Sequence, residues 1–443
     1  MIGWKKYGLG GFAGIVLSVS AQAAWHTAGP IRNDPLPLPL SAAVIDGPDA
    51  EANRLALSIL NIVTSDLERT TAFTLASPVI VGKARRSDSD PPDFHTLGKV
   101  AELVEARIEP NDNRQRRIRV WLWDVFGRTQ MLADTIPFDA ADWRRTAHLI
   151  AGTIYQRTKG SPVRLDEPVF FATLADKANP RLVVMDWDGW NPRYLTDKHE
   201  DAFPPRVGTD GAVFSLVRSG HTQHLFRFEP DGRRVVLPGD FSSVTGTPSP
   251  SPDGQAIVFS RSDGGRANLY RQDLRTREEI RLSNGAWTET DPSYAPDGQG
   301  IAFVSNRGGT PQLYVMNPDG SAPHRVSFGA GRYLSVAWSS TARLLALVKA
   351  VPDAASGDKP AHEHFVVEVM HVDGSGERWL GDFPAMPNLS WTSDSRALFA
   401  AGGTAPSNDR KAALTMFYFV DLAYFYAHRK DFWVDLSGTA APR

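Results

Sequence analysis

The sequence contains no cysteine among its 443 residues. A chain without thiols has no disulfide, no cysteine-based zinc or iron-sulfur site and no thiolate nucleophile. It also lacks a Gly-x-Ser-x-Gly motif, which would place a nucleophilic serine on a sharp strand-to-helix turn. No glycine-rich phosphate loop precedes a helix, so nucleotide binding has no support. These absences leave few routes to catalysis.

The sequence also lacks an excess of charge of one sign. Lys and Arg number 48, Asp and Glu number 50, and the formal net charge is −2. A nearly neutral chain creates no broad field that would attract nucleic acid or an anionic membrane, so neither is expected as a partner. Basic clusters at 114–119 and 83–86 are interpreted as solvated turns. The histidine pairs 221/224 and 362/364 lack helical metal-site spacing, so no metal or other cofactor is predicted.

A hydrophobic run long enough to cross a membrane is missing as well. The run Leu9 to Val19 has about 11 residues, against the roughly 20 that a spanning helix needs. It follows Lys5 and Lys6 and precedes Ala21-Gln22-Ala23, the arrangement of a secretory signal peptide. We therefore expect residues 1–23 to be removed during export to the periplasm, without direct insertion of the mature protein into a membrane.

The mature chain begins with two segments of different character. Residues 24–40 are rich in proline without periodicity, which predicts an extended N-terminal arm. Residues 41–160 alternate strand patterns with two amphipathic helices, Ala50–Thr70 and Asp142–Arg157, which predicts a small α/β domain. The strand "RIRVWLWDV" is largely apolar on both faces, so we expect it to be buried on both sides.

From residue 167 onward the pattern changes to strands and turns. Asp-Gly turns at 210, 253 and 297 repeat in steps of 43 and 44 residues, and an offset series begins at 188 and 231. Two interleaved turns with one period indicate two hairpins, hence four strands, in each unit. This spacing is typical of propeller blades. Residues 167–438 are therefore predicted to form an all-β six-bladed β-propeller, with a first blade that lacks a clear first strand. Residues 431–438 are predicted to close the ring.

Several segments resemble one family. They are "LVVMDWDGWNPRYLT" (182–196), "PSPSPDGQAIVFSRSDGGRANLYRQDL" (248–274) and "PSYAPDGQGIAFVSNRGGTPQLYVMNPDGSAPHRVSFG" (292–329), with "IVTSDLERTTAF", "RVWLWDVFG" and "WRRTAHLIAGTIYQRTKG" before them. In order and spacing they resemble the TolB family, the soluble periplasmic component of the Tol-Pal envelope system of Gram-negative bacteria. The similarity covers most of residues 41–340. The fifth and sixth blades depart from it, with "WSSTARL" and "WTSDSRA" in place of the Pro-Asp-Gly turn.

The resemblance implies a protein-binding adaptor rather than an enzyme. Its expected partner is the peptidoglycan-associated lipoprotein, Pal, bound at the mouth of the propeller channel by Val244, Thr247 and Thr290 in the positions that match the family. Such an adaptor supports outer-membrane integrity and constriction during cell division. The resemblance also implies that the N-terminal arm, which begins at Ala24, Trp25 and His26, communicates with TolA. These roles follow from the resemblance to the family and not from the residues themselves.

Interface chemistry adds three residues to the expected contact surface. Thr245 lies in one of the segments between blades, where small polar side chains offer adaptable hydrogen bonds. Trp287 and Tyr333 are candidate aromatic anchors of the type that dominates protein interfaces. A monomer is expected. An exported propeller hydrolase or lyase of unknown substrate stays open as the alternative function.

Overall fold

The fold is known from a computed structural model. It describes residues 25–27, 37–45, 48–76, 80–82, 90–109, 116–139, 141–173, 180–229, 233–341, 344–352, 363–383, 385–402, 411–421 and 426–435. The predicted signal peptide, 1–23, lies outside the described residues. Within them, no helix combines the length and the apolar character needed to span a bilayer.

The N-terminal part is an α/β domain in which two helices cover one face of a mixed sheet. The helices are α1 (Ala50–Arg69) and α2 (Trp143–Lys159), and one 3-10 turn spans Phe94–Thr96. After β1 (Trp25–Thr27), the strands of this domain are β2 (Leu38–Ile45), β3 (Phe73–Leu75), β4 (Ile80–Gly82), β5 (Glu102–Ile108), β6 (Arg116–Asp124) and β7 (Thr129–Phe138). The sheet order is β3-β2-β5-β6-β7, and β4 also pairs with β2. Residues 38–40, assigned to the arm from sequence, are thus the start of β2.

Both helices form where the apolar spacing predicts them. The carboxylate of Asp49 accepts a hydrogen bond from the Ala52 backbone N–H at 2.7 Å, which caps α1 and satisfies one of its free donors. Ile59 and Val63 lie on the buried face of α1, and Ile154 lies on that of α2. The side chains of these three residues form one core with the sheet.

The second face of the sheet is also covered. Trp121 and Trp123 of β6 are buried there, and Phe94 and Leu97 pack against them from the 3-10 turn. The Phe94 and Trp123 rings meet edge to face, 6.1 Å apart. The prediction that this strand is buried on both sides is therefore confirmed for its apolar half.

Glu102 provides a stability prediction for this domain. Burial is the main cause that raises its pKa to about 7, against the hydrogen bond from Thr158 and the charge of Lys159, while Asp124 adds to the rise. Between pH 4.5 and 7 the folded protein holds a proton that the unfolded chain has lost, so stability falls as pH rises through this window. We expect Glu102→Gln to remove this fall and to be about 1–2 kcal/mol more stable than wild type at pH 8.

The measurement is urea unfolding at pH 4 and pH 8. Both proteins have a neutral side chain at position 102 at pH 4, so their stabilities should be similar there. Glu51→Gln on the exposed surface of α1 serves as the control and should change stability by less than about 0.5 kcal/mol at either pH. A Glu102→Gln variant less stable than wild type at pH 8 contradicts the prediction.

The rest of the described chain folds into six small antiparallel sheets arranged in chain order. The first contains β8 (Val169–Ala172), β9 (Leu182–Met185) and β10 (Arg193–Tyr194). The second contains β11 (Glu200–Ala202), β12 (Arg206–Val207), β13 (Val213–Ser219), β14 (Thr222–Phe228) and β15 (Arg234–Val236). The third contains β16 (Val244–Pro250), β17 (Ala256–Asp263), β18 (Arg266–Asp273) and β19 (Glu279–Arg281).

The other three sheets repeat the same meander. The fourth contains β20 (Glu289–Tyr294), β21 (Ile301–Ser305), β22 (Gln312–Met316) and β23 (His324–Arg325). The fifth contains β24 (Arg332–Trp338), β25 (Leu344–Pro352), β26 (Glu363–His371) and β27 (Arg378–Phe383). The last contains β28 (Asn388–Trp391), β29 (Ala397–Ala401), β30 (Lys411–Asp421) and β31 (Tyr426–Asp435), with β1 added at its outer edge.

These sheets form a β-propeller, but the predicted count of six blades is wrong, although the first sheet does lack its first strand as predicted. Five sheets have the four strand positions of a complete blade, since β11 and β12 together pair with β13 as one interrupted strand. The first sheet has only three strands among the described residues, because the chain enters it from the α/β domain directly at the second strand position. The propeller thus has five complete blades and one reduced sheet.

The sequence predicted that residues 431–438 close the ring; of these the structure describes residues 431–435, the end of β31. β31 pairs with β30 and β1, so it is the fourth strand of the last sheet rather than a strand of the first sheet. The first and last sheets instead meet through side chains: the Asn388 Nδ2 donates to the Ala172 carbonyl at 3.4 Å. The Ser393 backbone N–H donates to the Glu167 carboxylate at 3.0 Å.

The predicted Asp-Gly turns do reverse the strands. Gly320, between β22 and β23, has φ of +85°, and a Cβ there would lie 2.4 Å from the Leu282 carbonyl oxygen of the preceding sheet. Only glycine fits this position because any other residue would be both strained and in contact with a neighbouring backbone. The turn therefore also packs against the preceding sheet.

Candidate functional site

The strand order gives the propeller two distinct faces. The turns from first to second strand and from third to fourth strand meet at one end, which we call the turn face. The connections from one sheet to the next meet at the other end, which we call the connection face and define by residues 237–243, 282–288, 326–331 and 385–387. The α/β domain docks at the turn face, where the Arg164 backbone N–H donates to the Asp394 carboxylate at 2.7 Å. The connection face is therefore at the far end.

Three large apolar side chains project from successive connections of this face. Trp287 is 39% exposed, Phe328 73% and Met386 42%. Guanidinium groups lie over two of the rings: Arg307 is 5.8 Å from the centre of Trp287, and Arg325 is 5.0 Å from the centre of Phe328. Aromatic side chains with arginine beside them are the usual anchors of protein interfaces. A series of exposed apolar groups along one rim indicates a protein-binding surface.

Phe328 and Met386 were missed by sequence reasoning, although a signal for Phe328 was present. "SFG" at 327–329 occupies the same place in its connection as "SNG" at 283–285, so the period itself puts Phe328 on the rim beside Trp287. Met386 lies in "PAMP", where two prolines leave no strand pattern. An apolar residue in a turn-rich connection has no neighbouring apolar residues in sequence to pack with. This feature could have identified Phe328 and Met386 as exposed.

The structure keeps three of the predicted contact residues at the surface. Thr245 is exposed, and its Oγ1 lies 3.2 Å from the Ser260 Oγ, so its hydroxyl is positioned at the start of β16. Trp287 is exposed, and Thr290 is half-buried where β20 begins. These three residues and the two newly found apolar groups share the connection face.

The other three predicted contact residues have buried side chains. Val244 packs beside Phe241 in the core between the second and third sheets. The Thr247 Oγ1 donates to the Pro204 carbonyl at 2.8 Å, which ties those two sheets together. The interpretation of Tyr333 as an exposed anchor is wrong: it has no exposed surface, and its hydroxyl donates to Glu377. Its ring packs in the core between the fourth and fifth sheets.

The side chain of Arg206 crosses the channel between the sheets. Arg206, from the second sheet, donates to the Val336 carbonyl at 3.0 Å in the fifth sheet and to the Leu389 carbonyl at 3.4 Å in the last. Its Nη2 also lies 3.4 Å from the Asp291 carboxylate of the fourth sheet. A cavity of about 280 Å³, bounded by residues of all six sheets, opens near the turn face. The channel is thus bridged by a cation rather than filled by apolar groups.

The N-terminal arm is described only in part. Trp25–Thr27 form β1, which pairs antiparallel with β31 so that Trp25 lies opposite Lys430 and His26 opposite Arg429. Ala24 lies outside the described residues. The extended arm as a whole stays a prediction; the backbone of Trp25–Thr27 adds an edge to the last sheet.

Comparison with known proteins gives the same two-part organisation. A family model described as the TolB amino-terminal domain matches residues 34–131, and one described as the TolB beta propeller domain matches residues 169–398. The chain is 34% identical to the Tol-Pal system protein TolB of Gluconobacter oxydans over 334 residues, which cover 74% of this chain and 70% of that protein. The chain belongs to the TolB family.

Two further comparisons agree with TolB membership. The Tol-Pal system protein TolB of Paramagnetospirillum magneticum is 34% identical over 223 residues, which span 48% of this chain and 49% of that protein. The crystal structure of TolB from Acinetobacter baumannii superimposes with a TM-score of 0.71 at 18% identity, covering 94% of this chain and 100% of that one. The latter confirms an α/β domain followed by a β-propeller.

TolB membership also bears on the choice between an adaptor and an enzyme. The TolB family consists of non-enzymatic Tol-Pal system proteins, so the prediction that this chain is not an enzyme is confirmed at the level of the family. The alternative of a propeller hydrolase or lyase gains no support from the described residues.

Proposed function

We propose that this protein is a periplasmic adaptor of a Tol-Pal envelope system that binds Pal on its connection face. The observation that carries the proposal is the exposure of Trp287, Phe328 and Met386 on three successive connections, on the face opposite the α/β domain. Thr245 and Thr290 add hydroxyl groups next to these apolar groups. An apolar centre with polar groups around it is the arrangement that binding energy requires in a protein interface.

The same proposal includes export and communication with TolA. Residues 1–23 serve as a signal peptide that is removed, and the arm from Ala24 onward contacts TolA. The pairing of β1 with the edge of the last sheet supports this role, because an edge strand held by backbone hydrogen bonds can exchange between a docked and a free state. Binding of Pal and release of the arm then support outer-membrane integrity and constriction during division.

Replacing Thr290 by arginine tests the Pal surface. The long cation introduces a desolvated charge at the edge of the apolar centre, so we expect the affinity for purified Pal to fall at least tenfold. Trp287→Ala removes an anchor and should weaken binding by a similar factor. Isothermal titration calorimetry at fixed salt measures both.

Each variant has a matched control. Thr276→Arg places the same charge on an exposed turn of the turn face, and Trp379→Ala removes an exposed tryptophan from the outer strand of the fifth blade. Both controls should bind Pal as wild type does. No binding of Pal by the wild-type protein, or an equal loss with Thr276→Arg and Thr290→Arg, contradicts the proposal.

A further inference from the structure

The α/β domain and the first propeller sheet meet at a group of ionisable side chains. Two lie near the end of α1, two on α2, and two in the turn between β9 and β10. We call this group the interdomain latch, and its members are Asp66, Arg69, Arg144, His148, Asp186 and Asp188. Trp187, in the same turn, is buried in the core shared by both domains. The "WDGW" turn at 187–190 therefore contacts the α/β domain.

Asp66 is the centre of the latch and has no exposed surface. One of its oxygens lies 2.5 Å from the His148 Nδ1, and the other accepts from the Trp187 Nε1 at 3.0 Å and from Arg69 at 3.1 Å. A carboxylate from the α/β domain is therefore bound by an indole of the propeller. Because charged hydrogen bonds away from water are strong, this contact fixes the two domains together.

Arg144 makes the reciprocal contact from the α/β domain. Its Nη2 lies 2.6 Å from the Asp188 carboxylate, and its Nε lies 3.2 Å from that of Asp186. A ring nitrogen of His148 and these two carboxylates lie within 4.8 Å of one another, a spacing that a metal ion could also use. Because the guanidinium already occupies both carboxylates, we assign the group to an ion-pair network and not to a metal site.

His148 decides the charge balance of the latch. The network holds three carboxylates and two guanidinium groups, so a protonated imidazole makes the sum zero, whereas a neutral imidazole leaves one negative charge uncompensated. The His148 Nε2 is buried and has no hydrogen-bond partner. In the protonated ring this nitrogen carries a hydrogen, and in the neutral ring that donates to Asp66 through Nδ1 it carries a lone pair instead.

We propose that the interdomain latch responds to protons: protonated His148 holds the α/β domain on the turn face, and loss of that proton loosens the two domains. The inference does not rest on the proposed function, because the latch lies at the end of the propeller opposite the connection face. A change in domain docking leaves the surface with Trp287 and Phe328 in place. It alters the orientation of the α/β domain relative to that surface.

The direction of the pH effect follows from the ionisation of His148. Burial lowers its pKa, but the hydrogen bond and charge of Asp66, with the charge of Asp188, outweigh burial and the opposing Arg144, so the pKa lies above the ordinary 6.5. Asp66 lies in the same domain as His148 and acts on it in both states, so the dependence of docking on pH comes from the propeller carboxylate Asp188, which raises the pKa of His148 further in the docked state. The stabilisation is present at pH values below the pKa of the undocked state and is lost as pH rises through the pKa of the docked state. In that window the undocking equilibrium constant rises up to tenfold for each pH unit.

Single-molecule energy transfer between the domains measures docking directly. The chain has no cysteine, so dyes can be attached only where thiols are introduced. Thr153→Cys on the exposed side of α2 and Ser321→Cys in the exposed turn after β22 place one dye on each domain. We expect the docked population to dominate at pH 5.5 and the undocked fraction to rise as pH increases to 9.

Three variants isolate His148. His148→Gln keeps a donor for Asp66 but cannot take the charge, so its undocked fraction should not depend on pH. His95→Gln, on the exposed 3-10 turn, is the control and should behave as wild type does. Asp188→Asn removes a carboxylate that favours the imidazolium, so its transition should move to lower pH.

The proposal is overturned if wild type shows no pH dependence between pH 5.5 and 9, or if His148→Gln follows the wild-type profile. If His148→Gln does not fold, the proposal is tested by the pKa of His148 in the wild-type protein. NMR measures this pKa from the proton on a ring carbon. A pKa that is lower in Asp188→Asn than in wild type supports the latch. An equal pKa in the two proteins overturns it.

Discussion

Replacing Asp66 by alanine should lower the free energy of unfolding by about 3–5 kcal/mol, the cost of removing one partner from a buried ionic network. The side chain has no exposed surface, and its removal leaves the His148 imidazole, the Trp187 indole and the Arg69 guanidinium without their common acceptor. Asp66→Asn keeps the shape but not the charge, so we expect a loss between those of alanine and wild type. Urea unfolding at pH 7, followed by circular dichroism, measures these differences.

The control for Asp66 is another aspartate of the same domain. Asp139 is exposed beyond the end of β7, and its replacement by alanine should change the unfolding free energy by less than about 0.5 kcal/mol. If Asp66→Ala loses less than about 1 kcal/mol, the carboxylate does not hold the domains together. In that case the apolar contact of Trp187, with the ion pairs of Arg144 and the Arg164–Asp394 hydrogen bond, accounts for their docking.

The elements that local chemistry determines were predictable from the sequence. The period of the Asp-Gly turns located the hairpins because aspartate and glycine are needed at each tight reversal. The spacing of apolar residues located α1 and α2 within a few residues of their observed ends. These signals are the spacing within one helix and a turn that recurs every 43 or 44 residues, so no tertiary information is required to see them.

The features that were missed depend on partners far apart in the chain. His148 lies in "AHLIAG", an ordinary stretch of amphipathic helix, and its partner Asp66 is 82 residues away. The position of β31 at the edge of the last sheet depends on its pairing with β30 and β1, not on its own composition. Tyr333 packs in the core between the fourth and fifth sheets, and most of its partners there come from other strands.

Arg206 is the second residue whose loss should have a large effect. One guanidinium from the second sheet bonds to backbone carbonyls at Val336 and Leu389 and lies 3.4 Å from the Asp291 carboxylate, so it joins four of the six sheets across the channel. The first sheet lacks a first strand, and the last strand does not pair with it. In a ring closed by strand pairing, the hydrogen bonds of that pairing contribute to stability. We infer that Arg206, in the centre of the channel, provides part of this contribution here.

Arg206→Ala should therefore lower the free energy of unfolding by about 2–4 kcal/mol, because it leaves a largely buried carboxylate and two carbonyls without their cation. Arg218→Ala removes an exposed ion pair with Asp201 in the same sheet and should lower it by less than about 1 kcal/mol. Arg206→Lys keeps the charge, but its single ammonium group cannot reach three acceptors, so it should recover only part of the loss. If Arg206→Ala and Arg218→Ala have equal effects in urea unfolding, strand and apolar packing alone hold the ring.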